Sequence, residues 1–469
     1  MKVKNIIMSI ISFILSLVLL FFFYYIYKLN MIPNKILILV YGIMFVIQVV
    51  GIFLLYRKVV CNVIGIILLL LNFGVCTFGI INIKNINDTM SSIEETSEKE
   101  FYDLIVTSKG VYKDVKSLEG KTVGVLESTS ENYDLSIKEL NKKVKVNIKS
   151  YTDVNLMFND LKEGKIDAIL INTNNRALLE ENIKGFKESI TVLDTISIKI
   201  VKEKIEFNKK HEPFNVIVSG IDTYGSINYV SRSDVNIVMS VNPRVNKIML
   251  THIPRDMHVQ LHGRKGLKDK LTHSGIYGVD MTRNTIADFL NISIPYYVRV
   301  NFSSVEEIVD AIGGIDIDNE YEFSEYGTTF PKGKLHLNGK KALIYARLRH
   351  TLPRGDVDRG IHQEVILDAI IQKVSTSKEI LKNYNEFMEL LGKYFQTNIP
   401  DEMIRMYVKE QLDSMPTWNV EQNRIKGKGS ALVPTYSMPS VNLYVMYPNM
   451  DSVKETQNKI NDLFKETRE

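Results

Sequence analysis

The chain has 469 residues, enough for two or three domains. Its 58 Lys and Arg against 54 Asp and Glu leave a net charge of +4, without the strongly basic balance of a nucleic-acid-binding domain. Its two cysteines, Cys61 and Cys76, both fall in an apolar head, which excludes a disulfide framework for the rest.

Three apolar runs open the chain, at residues 6–27, 36–56 and 59–81. Each reaches the roughly 20 residues a helix needs to cross a hydrocarbon core. The first is too long for a signal-peptide core and no small-residue cleavage site follows it. Aromatics crowd residues 21–27, as an interfacial belt would. Lys2, Lys4, Arg57 and Lys58 fall on one side, and Lys28, Lys35 and Lys84 on the other. That asymmetry favours a cytoplasmic N-terminus, with everything after the third span outside.

Residues 84–99 are polar without an apolar period and read as a stalk. Strands follow at 104–110 and 122–126, then a helix start near Ser128 or Thr129. A strand at 144–150, a helix at 153–163 and a doubly buried strand at 166–172 complete a small α/β unit. The phrases SLEGKTVGVLESTS and FNDLKEGKIDAIL resemble one lobe of a periplasmic solute-binding protein. In such a lobe Ser128, Thr129 and Ser130 would be helix-start anion contacts. The one arginine of this unit, Arg176, is not where such proteins clamp a carboxylate.

A second soluble unit begins with strands at 213–222, 231–243 and 247–256. Their ends carry Asp222, Arg232, Asp234, Arg255 and Asp256. Ligand crevices in α/β sheets lie at strand ends, so acids and arginines there point to a site. Helices at 279–290 and 303–312 flank a strand at 296–301. A helix at 338–346 then delivers the chain into YARLRHTLPRGDVDRGIHQ, and a last amphipathic helix spans 360–374. Arg347 and Arg349, two apart, imply a strand or a helix end if both point one way. With Arg354 and Arg359 they form a cationic stretch that an anion such as pyrophosphate would hold together, because guanidinium forks match phosphate oxygens. A solvated loop paired with Asp356 and Asp358 is the plainer alternative. Residues 376–469 add a long helix, the lone Trp418, a polar strip at 426–442 and a charged terminal helix with Ile460 and Leu463 as contacts. The histidines at 252, 258, 262 and 273 fit no common zinc spacing, and no Gly-x-Ser-x-Gly elbow surrounds Ser219 or Ser274.

Residues 213–375 resemble the LytR-CpsA-Psr family of Gram-positive cell-envelope enzymes. The matching motifs are GID at 220–222, RSD at 232–234, IPRD at 253–256, VNFSSVEEIVDAIGGIDID at 300–318, LNGKKALIYARLR at 337–349 and RGDVDRGIHQ at 354–363. The three-span head and accessory unit resemble the capsule-ligating members. The family often has Asn-His-Ala-Tyr where this chain reads Thr272-His273-Ser274-Gly275, and Arg where His362 stands.

The resemblance implies an α-β-α layered domain with a central mixed sheet. It implies transfer of a capsular or teichoic-acid-type glycopolymer from a polyprenyl-pyrophosphate carrier onto peptidoglycan, through a phosphodiester. Asp222 and Asp234 match the ligands of a magnesium ion. Arg232, Arg255, Arg347, Arg349 and Arg359 match the pyrophosphate-binding arginines, with Gln363 beside them. Asp222, Asp234, Arg255 and Arg347 are the catalytic candidates. An apolar tunnel for the lipid would draw on Val238, Ile248, Ile286, Phe289, Ile308 and Ile312.

The expected organisation is a membrane region at 1–83, a linker at 84–100, an accessory α/β domain at 101–205 and the family domain with its extension at 206–469. The expected partners are lipid-linked glycopolymer, peptidoglycan and membrane lipid, with no nucleic acid. The rival readings are a polyprenyl-pyrophosphate phosphatase and a non-enzymatic envelope sensor.

Overall fold

The computed structural model describes residues 2–95, 99–127, 131–199, 205, 211–221, 227, 231–348, 356–376 and 384–467. The helix-start residues 128–130 of the accessory unit lie outside them.

The head is three helices, α1 (Lys2–Leu29), α2 (Asn34–Leu55) and α3 (Val59–Glu95). Within them residues 5–29, 34–55 and 59–89 are long and apolar enough to cross a membrane. Leu19, Phe22 and Ile26 of α1 pack with Leu37 and Met44 of α2 and with Cys76, Ile83 and Ile86 of α3. A polar chain also links them: Asn72 donates to Gln48 Oε1 at 2.9 Å, and Gln48 donates to Ser16 Oγ at 3.1 Å. Apolar packing gains little between helices in lipid, so such bonds help to fix the bundle. The stretch read as a stalk from Lys84 is instead helical as far as Glu95. Its polar side chains hide a contact face, since Ile83 and Ile86 are buried.

The accessory domain runs β1 (Lys99–Thr107), β2 (Thr122–Leu126), α4 (Glu131–Lys143), β3 (Asn147–Tyr151), α5 (Val154–Lys162), β4 (Ala168–Asn172), α6 (Thr173–Asn182), α7 (Phe186–Ser189) and β5 (Ile190–Lys199). Its sheet has the order β3-β2-β4-β1-β5. The doubly buried β4 pairs parallel with β2 and antiparallel with β1, so the sheet is mixed. Arg176 is committed within the domain, 2.7 Å from Asp103 and 3.4 Å from Glu180.

The second domain is built on six strands in the order β16-β11-β6-β7-β8-β17. It starts with β6 (Phe214–Ile221), β7 (Ser233–Asn242) and β8 (Lys247–His252), then a small ribbon of β9 (His258–Val259) and β10 (Asp269–Lys270). Next come α8 (Leu271–Ser274), α9 (Val279–Leu290), β11 (Tyr296–Asn301) and α10 (Phe302–Ala311). Two small antiparallel ladders follow, β12 (Ile315–Asn319) with β15 (Gly333–Leu337), and between them β13 (Phe323–Glu325) with β14 (Thr328–Phe330). Helices α11 (Gly339–Arg347), α12 (Asp356–Thr376) and α13 (Tyr384–Tyr394) lead to β16 (Gln396–Thr397), α14 (Asp401–Ser414) and β17 (Asn419–Arg424). The chain ends with β18 (Gly427–Pro434), β19 (Asn442–Pro448) and α15 (Met450–Lys465).

Strand alternation gives the sheet two apolar faces. Ile217, Val238 and Tyr297 pack with Ile286 and Leu290 of α9 and Val453 of α15. Val218 and Ile237 face the opposite layer, where Leu367 and Ile371 of α12 lie. The expected α-β-α layering with a mixed sheet is what the chain adopts.

Two junctions tie the domains together. Met438, in the polar strip before β19, packs with Ile276 into a core of the accessory domain, and Asn174 donates to the Ile276 carbonyl at 3.3 Å. The strip therefore serves the accessory domain as well as its own. At the other junction Leu391 of α13 and Ile404 and Val408 of α14 pack on the head. Arg405 is 8% exposed there. It donates to both Asp401 carboxylate oxygens at 2.9 Å, to the Leu29 carbonyl at 3.1 Å and to Asn87 Oδ1 at 2.9 Å. A buried guanidinium needs this many acceptors, since one left without its partner costs about 3–5 kcal/mol. Leu29 and Asn87 sit at the same end of the bundle, so the second domain is seated on that end.

Candidate functional site

Between the sheet and helices α10, α11 and α12 lies a cavity of about 520 Å³. Its polar lining is Asp234, Arg255, Asn301, Glu325, Tyr326, Arg347, Arg359 and Gln363. Its apolar lining includes Val218, Ile237, Met239, Val298, Val300, Val305, Ile308, Ile366, Ile370, Ile371 and Phe395.

The two kinds of lining separate along the elements. On α12 the order is Arg359, Gln363, Ile366, Ile370, so the polar and apolar ends stand about 16 Å apart at 1.5 Å per residue. On β7 Asp234 comes first and Met239 last; on β6 and β11 the valines come first, and Gly220 with Ile221, and Asn301, come last. The polar end therefore gathers the C-terminal ends of β6, β8 and β11, as ligand crevices in such sheets do. The apolar end lies by Phe395, next to α13, which packs against α3 of the head.

Asp234 reaches the cavity because β7 is bulged. Gly220 pairs with Val235 and Ile221 with Ser233, which leaves Asp234 as the extra residue. A bulge re-aims side chains locally, so Asp234 and Val235 both line the cavity despite their adjacency. Asp234 Oδ1 accepts from Arg255 Nη1 at 2.7 Å and from Thr272 Oγ1 at 2.7 Å. Arg255 also lies 3.8 Å from Asp256, which Lys270 approaches at 2.5 Å. These side chains are 6–14% exposed, so their charges interact in a poorly screened setting. Thr272 begins the Thr272-His273-Ser274-Gly275 stretch noted as a departure, and it has no role among the expected site residues.

Arg347 ends α11, in line with the helix-end alternative for that stretch. Its guanidinium carbon sits 3.9 Å over the Phe302 ring. Phe302 is fixed by a capping box: Asn301 Oδ1 accepts from the Ser304 N–H at 2.9 Å, and Ser304 Oγ accepts from the Asn301 N–H at 3.0 Å. Gln363 donates to the Ala346 carbonyl at 3.3 Å, which ties α12 to α11 beside the arginine.

Of the expected site residues, Asp234, Arg255, Arg347, Arg359 and Gln363 thus meet in one cavity. Arg232 does not line it; it forms an ion pair with Glu181 of α6 in the accessory domain. Asp222 and Arg349 lie outside the described residues. Among the six expected tunnel residues, only Ile308 lines the cavity. Val238 and Ile286, with Phe289 packed against them, lie in the layer on the other face of the sheet. Ile248 and Ile312 are core residues. Val238 fails by strand parity, since its neighbours Ile237 and Met239 hold the cavity side. His362 turns away from the cavity and stacks on Tyr345 at 3.9 Å between ring centroids. His273 is buried, with Nδ1 2.7 Å from Asp269.

Behind the polar end, α12 and β8 touch closely. A Cβ on Gly360 would meet His252 Cε1 at 2.4 Å, so only glycine fits. His252 is held neutral, its pKa pushed down to about 3 by burial and by the charges of Arg359 and Arg424. Glu364, one turn on, has no exposed side-chain surface and lies 2.6 Å from Arg424 Nε. Burial pushes its pKa up to about 8 against the downward pull of Arg424. The folded state therefore binds this proton more tightly than the unfolded chain, and the stability it contributes is lost as pH rises from about 4.5 to about 8. Glu364→Gln is expected to remove that slope, read as thermal midpoint against pH; parallel curves for the two proteins would refute it.

Magnesium asks for a few carboxylate oxygens and shares the rest of its shell with phosphate and water. Asp234 fits that demand in part: no described residue donates to its Oδ2, on a carboxylate that lines the cavity. The second expected ligand, Asp222, directly follows Ile221 at the end of β6. Among the described residues no group of three or more His, Cys, Asp or Glu forms an all-protein metal cage.

A model of the LytR_cpsA_psr family matches residues 179–462. The chain belongs to the LytR-CpsA-Psr family. A polyisoprenyl-teichoic acid–peptidoglycan teichoic acid transferase TagU from Bacillus cereus is 35% identical over 228 residues, which is 48% of this chain and 73% of that protein. The protein of that name from Enterococcus faecalis is 35% identical over 232 residues, 49% of this chain and 74% of its own length. The crystal structure of B. subtilis TagV matches with 29% identity and a TM-score of 0.47, covering 55% of this chain and 100% of that one. A second model, of an NMT1/THI5 like family, matches residues 88–210, which span the accessory domain and overlap the first match from residue 179.

Proposed function

We propose that this chain transfers a glycopolymer from a polyprenyl-pyrophosphate carrier onto peptidoglycan at the outer face of the membrane. The observation that carries the reading is one cavity that has arginines at one end and an apolar interior at the other. A pyrophosphate would sit against Arg255, Arg347 and Arg359, with the lipid tail along Val300, Ile237 and Ile370. The apolar end lies beside the membrane head, so the tail keeps close to the bilayer. The relatives' names support teichoic-acid-type polymer as the cargo class, and the three-span head with its accessory domain favours a capsule-type polymer as the alternative.

An acceptor hydroxyl would attack the phosphorus that bears the sugar. The new P–O bond forms as the bridging P–O bond breaks, polyprenyl phosphate leaves, and the hydroxyl proton passes to water. Such transfers depend on positioning and on neutralising charge at non-bridging oxygens. The guanidinium forks of Arg347 and Arg359 supply both. Arg255 is itself oriented by Asp234, which Thr272 holds in turn. Asp234 together with Asp222 would hold magnesium, which when bound neutralises pyrophosphate charge.

Mass spectrometry of lipid retained by the full chain, purified from membranes supplied with donor, tests the seat. Polyprenyl-pyrophosphate species should be present. Their absence, with only bulk membrane lipids retained, would contradict the reading.

A further inference from the structure

A hairpin adds Glu325 and Tyr326 to the polar lining of the cavity. Glu325 pairs with Thr328, so Tyr326 and Gly327 form a two-residue loop between β13 and β14. Both have positive φ, 46° and 72°. Two-residue hairpins of this kind take Asn-Gly or Asp-Gly, because asparagine and aspartate tolerate the left-handed region and a bulky ring does not. Tyr326 is thus the residue type that local backbone chemistry disfavours. It is also 80% exposed, so it repays that strain with no packing of its own.

The base of the hairpin is rigid. Phe323 stacks on Phe330 at 4.9 Å, and both rings contact Tyr345 at 5.6 and 5.7 Å. Phe323 also stacks on His362 at 5.4 Å, one residue from Gln363. Ser324 and Thr329 share a hydroxyl hydrogen bond of 2.9 Å across the strands. The backbone that carries this exposed ring is therefore held in place beside Tyr345 and His362, two residues from Arg347 and one from Gln363.

We infer that Tyr326 is a stacking platform for the sugar carried directly by the donor's pyrophosphate. This rests on the proposed function and deepens it. With the tail in the apolar end and the pyrophosphate on the arginines, the next group outward is that sugar. The C–H face of a pyranose is apolar and suits the face of an aromatic ring, while its hydroxyls stay in water. An observed backbone outlier at a ligand rim argues for a role in binding.

The test uses the full chain in detergent and two short-chain polyprenyl pyrophosphates, one bare and one carrying a single hexose. Tyr326→Asn should weaken binding of the hexose-bearing lipid by about tenfold and leave the bare lipid within about twofold, because only the former loses a stacking partner. Its thermal midpoint should equal or exceed that of the wild type, since asparagine suits the turn. Tyr326→Trp should keep the preference for the hexose-bearing lipid. Equal weakening of both lipids, or of neither, overturns the inference. A wild-type chain that binds neither lipid overturns the reading of the cavity, and this inference with it.

Discussion

Arg347→Ala is expected to lower glycopolymer transfer by about 10²–10³-fold while the protein stays folded, the scale of losing one preorganised charge-stabilising group. The side chain ends α11 at the cavity wall, where its fork faces the proposed pyrophosphate seat. One structural contact it would lose is the stack on Phe302, worth about 0.5–1 kcal/mol. A thermal melt beside kcat/KM for the lipid donor separates loss of chemistry from loss of stability. Arg347→Lys should recover part of the activity and no more, because an ammonium keeps the charge but loses the planar fork. Wild-type rates in the alanine variant would remove Arg347 from the site.

Val300→Trp is expected to abolish retention of the lipid. Val300 lies on β11 inside a six-stranded sheet, yet it is only half-buried because it faces the cavity. An indole there fills space that the tail would occupy. Displacing even about ten carbons of the tail at ~0.8 kcal/mol each removes about 8 kcal/mol of favourable transfer. The folded protein should keep or gain stability, since the added surface enters a void rather than a packed core. Lipid content by mass spectrometry and a melting curve check both halves. A tryptophan variant that still carries polyprenyl lipid would place the tail elsewhere.

The cationic centre was legible in the sequence because its chemistry is concentrated in short motifs at strand and helix ends. Arg255 lies in the turn just after β8, Arg347 closes α11, and Arg359 and Gln363 share one face of α12. The three spans were legible from length and apolarity alone. What the sequence hid depends on long-range geometry. Asp234 and Val235 share the cavity through a bulge whose register is set by β6. Val238 looked as suitable for a tunnel as Ile237, and only the pairing register decides which of them faces it. Arg232 was drawn to Glu181 by the docking of another domain. The polar residues after Lys84 carried no apolar period, yet they continue α3 because Arg405, more than three hundred residues away, supplies a partner for Asn87. Tyr326 and Glu325 belong to a hairpin whose closeness to the arginines comes from the Tyr345–His362 stack rather than from any local signal.

The most direct test of the account is a transfer assay with the full chain in liposomes containing lipid-linked glycopolymer, run with and without peptidoglycan strands. The account predicts a glycopolymer–peptidoglycan conjugate and polyprenyl phosphate in equal amounts, both dependent on the acceptor. Release of the glycopolymer to water at the same rate whether or not acceptor is present, with no conjugate formed, would contradict it.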